Sequence, residues 1–115
     1  MTQHEKQRTG YAELLSKKLG LRVTYYRHPC TGKWRGSYDV GYLIGEHILY
    51  VGNTFGEHGK QTNEIFRHYE SVEKKLIEEL QRGIEHHARF PQYPDSVATV
   101  KAYNGLMKKL GGEEQ

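Results

Sequence analysis

The residues of this chain with the most potential for chemistry are its seven histidines and its single cysteine. Candidate metal ligands are His28 with Cys30, His58, His68 and the adjacent pair at 86–87. A structural zinc site needs four ligands, usually supplied as two closely spaced pairs, and the sequence has no such spacing. Nucleophilic catalysis by Cys30 with His28 would need a third, orienting group, and none is evident. We therefore expect no metal site, no cofactor and no catalytic cysteine.

Basic residues are concentrated in the first third of the chain. Residues 1–35 hold eight lysines and arginines against two glutamates, whereas residues 36–66 have a net charge of −3. Such a segment favours a polyanionic partner such as nucleic acid, and an acidic protein would suit it equally. The nine tyrosines also favour a binding role, because a tyrosine-rich small domain often presents a contact face.

Length and composition limit the remaining possibilities. The 115 residues have room for a single domain over 1–115 with one core, and we expect the polar ends, 1–8 and 111–115, to be flexible. One cysteine excludes an internal disulfide. No signal peptide and no apolar run of membrane length is evident, so we expect a cytoplasmic protein without a membrane partner.

Hydrophobic periodicity predicts a helix followed by three strands. Tyr11, Leu14, Leu15 and Leu19 recur at helical spacing, and Gly20 ends the helix. Alternation predicts the strands, which cover about 21–27, 37–44 and 48–52, with a tight turn at 45–47 between the last two.

Two more helices are predicted after the strands. A long second helix begins at 60–63 with Thr62 as its cap, and its apolar stripe extends to Ile84. A third, over 95–110, is capped by Asp95 or Ser96. Its predicted inward residues are Val97, Val100, Tyr103, Met107 and Leu110. The fold class is therefore α+β, ordered α-β-β-β-α, with both helices on one face of a three-stranded antiparallel sheet and an extra C-terminal helix.

Residues 10–82 resemble a double-stranded RNA-binding domain. YAELLSKKLGLRVTYY is similar to that family's first helix, GSYDVGYLIGEHILYVGN to its second and third strands, and GKQTNEIF to the start of its second helix. The family contacts RNA through the first helix, the loop between strands one and two, and the start of the second helix. The resemblance implies an RNA-binding set of Glu13, Lys17, Lys18, Lys33, Trp34, Arg35 and Lys60.

A second resemblance, to GIY-YIG nucleases, rests on the stretches 36–38 (GSY) and 50–52 (YVG). It implies Arg67 as the phosphate-binding arginine and Glu73 as the metal ligand. Arg67 lies farther beyond the second motif than in the family, and Glu73 follows on the same predicted helix, where the family inserts a strand. The charged neighbours of Glu73 instead predict a solvated helix face.

Three functions therefore remain open. The first is a non-enzymatic module that binds structured RNA or duplex nucleic acid through the basic first third. The second is a phage or mobile-element protein that has this same fold and acts as an inhibitor by binding another protein. The third is a GIY-YIG-like nuclease. Of these, we predict the first, without enzymatic activity.

Overall fold

The helices and strands follow the predicted order, with one additional break. The computed structural model describes residues 2–111, so Met1 and residues 112–115, which belong to the ends expected to be flexible, lie outside the described part. The elements are α1 Gln3–Leu19, β1 Val23–Pro29, a 3₁₀ turn Gly32–Trp34, β2 Tyr38–Ile44, β3 His47–Asn53, α2 Gly56–Phe66, α3 Tyr69–Ala88 and α4 Pro94–Leu110.

The three strands form an antiparallel sheet in the order β1-β2-β3. Val23 pairs with Ile44 and Pro29 with Tyr38, so the β1–β2 loop and the β2–β3 turn lie at opposite ends of the sheet. The β2–β3 register shifts between Val40 and Gly41, which is a β-bulge. The α+β fold class, with its helix, three-stranded antiparallel sheet and following helices, is confirmed.

One face of the sheet carries the core, and the helices cover it. The buried residues there are Ala12, Leu15, Leu19, Val23, Val40, Tyr42, Ile44, Leu49, Val51, Phe66, Val72, Leu76, Leu80, Ile84, Leu106, Met107 and Leu110. The strand residues among them alternate as a half-buried sheet requires. All four helices contribute to this one cluster, which fixes them on the same side of the sheet.

The prediction of one long second helix is wrong, because α2 ends at Phe66 and α3 begins at Tyr69. His68 between them has an extended backbone, with φ −130° and ψ 134°. Phe66 and Val72 are both fully buried. In one continuous helix they would lie roughly 120° apart around the axis, at 3.6 residues per turn. The extended residue between the two helices changes the rotation of α3 relative to α2, so that both side chains reach the core.

Several predicted details at the element ends are also corrected. Leu14 and Val97 were expected on apolar faces, but they are 47% and 51% exposed. Thr62 does not cap a helix: it is buried inside α2, with its hydroxyl 2.9 Å from the carbonyl oxygen of Asn53. Neither Asp95 nor Ser96 is the N-cap residue of α4, because the helix begins at Pro94 and Tyr93 precedes it as the N-cap.

The start of the chain is structured from Gln3 onward. The hydroxyl of Thr2 accepts a hydrogen bond from the backbone N–H of Glu5, at 3.2 Å, and so caps α1. Arg8 is only 7% exposed and belongs to the core side of α1. Within residues 2–111, no helix combines the length and apolarity that crossing a lipid bilayer requires.

Candidate nucleic-acid interface

The face of the sheet opposite the helices bears a row of aromatic side chains. Tyr26 on β1, Gly41 on β2 and Tyr50 on β3 stand in register across the sheet. The two tyrosine rings lie 6.5 Å apart, centroid to centroid, on either side of the glycine. Both tyrosines are half-buried. We call the sheet surface that carries these two rings the open face.

Gly41 is required by the packing of this row. A β-carbon at this position would overlap the backbone carbonyl oxygen of Leu49, beside the bulge. The position therefore admits no side chain, and the two tyrosine rings approach each other over the buried glycine.

A second row of polar side chains lies beside the first, toward the β1–β2 loop. It consists of His28, Asp39 and Asn53, in register across the three strands. The Asn53 amide nitrogen donates to Asp39 Oδ1 at 2.8 Å and to Cys30 Sγ at 3.4 Å. Its oxygen accepts the backbone N–H of Phe55 at 2.7 Å. Asn53 thus fixes the Asp39 carboxylate and turns the chain into α2.

The Tyr50 phenol lies in a partly buried part of the open face. Burial is the main factor that raises the pKa of Tyr50 above its ordinary value of 10.0, and Tyr26, Asp39 and Cys30 raise it further. The phenol therefore stays protonated and able to donate a hydrogen bond throughout the physiological pH range. Tyr26 also lies parallel to the imidazole of His28, with ring centroids 6.4 Å apart.

The β1–β2 loop extends the aromatic surface beyond the sheet. Trp34, which is 40% exposed, meets the ring of Phe55 edge-to-face at 4.7 Å. Phe55 is the N-cap residue of α2, so this contact joins the loop to the start of that helix. Lys33 Nζ lies 5.7 Å from the centre of the Trp34 ring. Among the described residues, neither Lys33 nor Arg35 lies within ion-pair distance of a carboxylate.

The structure separates the predicted RNA-binding residues into two groups. The loop residues Lys33, Trp34 and Arg35 lie at the end of the sheet from which α2 starts. Lys60 belongs to the second turn of α2, and its ammonium group pairs with Glu57 at 3.2 Å. Only part of the predicted set therefore meets at this end, and Lys60 has a carboxylate partner of its own.

The α1 residues of the predicted set lie at the other end of the sheet. Ser16 Oγ accepts the backbone N–H of Val23 at 2.9 Å, so the last turn of α1 lies beside the start of β1. Glu13 and Lys17 are exposed on this helix. Lys18 forms an ion pair with Glu73 of α3. The predicted set does not form one compact basic patch.

The residues implied by the nuclease resemblance do not converge. Tyr38 packs against the core side of the sheet, whereas Tyr50 lies on the open face. Glu73 is not on a solvated face: its side chain is 14% exposed and pairs with Lys18. Arg67 is exposed and pairs with Glu64 at 3.2 Å. The four groups point to different parts of the molecule.

The histidines are dispersed. In residues 2–111, no three side chains of histidine, cysteine, aspartate or glutamate come together in a way that could hold a metal ion. His87 instead lies 3.1 Å from the hydroxyl of Ser96, which ties α3 to α4. His47 contacts the ring of Tyr103 edge-on.

Sequence reasoning missed the residues of the open face. Tyr26, His28, Asp39, Asn53 and Tyr50 are absent from the predicted set. Alternation places Tyr26 on the outer side of β1, but only the register, with its bulge, brings it opposite Tyr50. The sequence signal that could have found them is the tyrosine content of the strands. Comparison with protein-family models, with curated proteins and with solved structures gives no match.

Proposed function

We propose that this protein is a non-enzymatic module that binds structured RNA at its unpaired nucleotides. The observation that carries the proposal is the aromatic row of the open face, Tyr26 and Tyr50, continued by Trp34. Beside Trp34 are Lys33 and Arg35, which have no carboxylate partner among the described residues. Proteins recognise unpaired bases by stacking them on aromatic side chains and by hydrogen bonding to their edges. Each stacked base contributes about 1–3 kcal/mol to binding.

Cations flank the aromatic row on two sides. Lys33 and Arg35 lie beyond it, in the β1–β2 loop. Lys75 and Arg82 of α3 border the groove along β3 that Tyr50 and Asp39 line. Both pair with Glu79, Lys75 at 3.4 Å and Arg82 at 3.2 Å, and the Arg82 side chain remains 72% exposed. Basic groups on both sides of stacked rings are what a sugar-phosphate backbone crossing the open face would meet.

Unpaired nucleotides suit this surface better than an intact duplex. A duplex keeps its bases stacked inside, so the rings of Tyr26 and Tyr50 would have nothing to stack on. Reading a duplex by its phosphates would require a continuous basic surface. Three of the cations that could supply it, Lys18, Lys60 and Arg67, are instead engaged by glutamates.

The test is a fluorescence anisotropy titration of two labelled RNAs at several salt concentrations. One is a hairpin with a single-stranded loop, and the other is a blunt duplex of the same stem. We expect the hairpin to bind at least tenfold more tightly, because a tenfold ratio corresponds to the binding free energy that one stacked base contributes. The variant Tyr26→Leu with Tyr50→Leu should remove that difference. Tyr93→Leu, at a 56% exposed tyrosine outside the open face, is the matched control.

Two results would contradict the proposal. Equal affinity for hairpin and duplex would mean that the protein reads the backbone and not unpaired bases. No binding to either RNA at low salt would remove nucleic acid as the partner. The predicted protein-binding inhibitor would then be the leading function, with the exposed Trp34 and Phe55 as its contact.

A further inference from the structure

A pocket opens at the junction of the β1–β2 loop, the sheet and α2. Its walls are Trp34, Asp39, Asn53 and His58, and it encloses about 350 Å³. We call it the tryptophan pocket. It adjoins the groove along β3, which shares Asp39, Asn53 and His58 with it. A nucleotide strand lying on the open face would therefore pass the mouth of the pocket.

On its polar side, the pocket offers a carboxylate oxygen of Asp39 as a hydrogen-bond acceptor, whereas the amide group of Asn53 is already engaged. Asn53 uses its amide hydrogens on Asp39 Oδ1 and Cys30, and its oxygen on the N–H of Phe55. Asp39 is half-buried, and its hydrogen bond from Asn53 reaches one of its two oxygens. Among the described residues, no lysine, arginine or histidine lies within ion-pair distance of it. An ionised carboxylate only accepts hydrogen bonds, so the pocket calls for a ligand with N–H donors.

Guanine is the base whose pairing edge meets this requirement. Its N1–H and N2–H₂ groups stand side by side and can both point at one carboxylate. Adenine and cytosine present an amino donor next to a ring acceptor, which a carboxylate would repel. Uracil presents one N–H between two carbonyl oxygens. The Trp34 ring supplies the flat surface on which any base can stack.

A guanidinium group from a basic protein would also suit an aromatic ring and a carboxylate. The charges around the pocket argue against it. Lys33 and Arg35 stand beside Trp34, and neither has a carboxylate partner within residues 2–111. These groups repel a cationic side chain and attract the phosphates attached to a nucleotide.

We propose that the tryptophan pocket binds an unpaired guanine base of an RNA strand, stacked on Trp34 and hydrogen-bonded to Asp39. The inference rests on the proposed function, because it names the base that the strand on the open face inserts. His58 and Asn53 complete the walls, and Asn53 acts as a positioning residue for the carboxylate.

The test uses three labelled uridine oligonucleotides that differ in one central base: guanosine, inosine or adenosine. Inosine lacks the 2-amino group and so loses one hydrogen bond to a charged acceptor. We expect it to bind about tenfold more weakly than guanosine, with adenosine weaker still. Asp39→Asn should make the three equal, because the amide keeps an acceptor for Asn53 and loses the second carboxylate oxygen. Asp95→Asn, the same charge change at an exposed site on α4, should keep the preference.

The outcomes separate this inference from the proposed function. Equal binding of the three oligonucleotides by the wild type, or a guanosine preference that survives Asp39→Asn, overturns the guanine site and leaves RNA binding standing. No binding of any oligonucleotide overturns both. In a competition assay, guanosine monophosphate should displace the guanosine oligonucleotide. Displacement by N-acetylarginine amide alone would show that the pocket takes a guanidinium group, and would also overturn the inference.

Discussion

Replacing Arg8 by methionine should change stability little, although this arginine is the most buried cation of the basic first third. Its Nη1 donates to the Tyr25 hydroxyl at 2.7 Å and its Nη2 to the Asn63 side-chain oxygen at 3.0 Å. The guanidinium carbon lies 4.2 Å from the centre of the Phe66 ring. Nε is buried and has no hydrogen-bond partner in the described part of the chain. No carboxylate lies within ion-pair distance of Arg8 among the described residues.

The opposing contributions are of similar size. Two hydrogen bonds from a charged group contribute about 1.5–3 kcal/mol each. The contact with the Phe66 ring adds about 2 kcal/mol when desolvated. Against these stand several kcal/mol, in order of magnitude, for taking the cation out of water, and about 1–3 kcal/mol for the unpaired Nε. These contributions nearly cancel. The net contribution of Arg8 to the free energy of unfolding should therefore depend mainly on the packing of its long aliphatic stem.

Arg8→Met keeps that stem, and we expect the free energy of unfolding to fall by no more than about 1.5 kcal/mol. Arg8→Ala leaves a cavity beside Phe66 and should cost about 3 kcal/mol. Urea unfolding followed by circular dichroism measures both, with the exposed Arg35→Met as the control, which should stay within about 0.5 kcal/mol of wild type. If Arg8→Met costs as much as Arg8→Ala, the charge itself stabilises the fold and the reasoning is refuted.

Three further predictions concern other parts of the fold. Gly41→Ala should lower the free energy of unfolding by about 3 kcal/mol, because its β-carbon would overlap the Leu49 carbonyl; urea unfolding with little loss would show that the bulge can adjust. Glu73→Gln should leave RNA affinity unchanged and cost at most about 1 kcal/mol, since Lys18 is partly exposed; loss of RNA binding, or of a magnesium-dependent cleavage shown by the wild type, would contradict this. Burial raises the pKa of Tyr42 far above 10.0. Its folded-state pKa is the higher one, so the stability it contributes is present below pH 10.0 and lost above it. Urea unfolding of wild type and Tyr42→Phe at pH values below and above 10.0 should show that the free energy of unfolding falls less with rising pH in the variant.

The fold could be predicted from the sequence to the extent that local patterns specify it. Alternation in 37–52 indicates a hairpin, and it is one because the turn at Gly45 requires the left-handed backbone conformation, with φ 60°, that glycine adopts easily. The break between α2 and α3 could not be predicted in the same way. No proline or glycine marks it, and the phases of Phe66 and Val72 reveal it only once both are known to be buried.

The candidate site was harder to predict because it depends on pairing between strands. The charge pattern does not show which basic residues of the first third are free to bind a partner. In the structure, Arg8 is buried and Lys18 is paired with Glu73. Trp34 was implied by the resemblance to double-stranded RNA-binding domains, and it borders the pocket. Asp39 and Asn53 are 14 residues apart and meet only through the register of β2 and β3.

The most direct test of the account is a tryptophan fluorescence titration with RNA, because Trp34 is the only tryptophan in the chain. A uridine oligonucleotide with one central guanosine is added while anisotropy of a label on the same RNA records total binding. We predict that Trp34 fluorescence is quenched as the base stacks, and that both signals saturate at the same RNA concentration. Binding recorded by anisotropy with unchanged Trp34 fluorescence would contradict the account, because RNA would then occupy a surface other than the open face and its pocket.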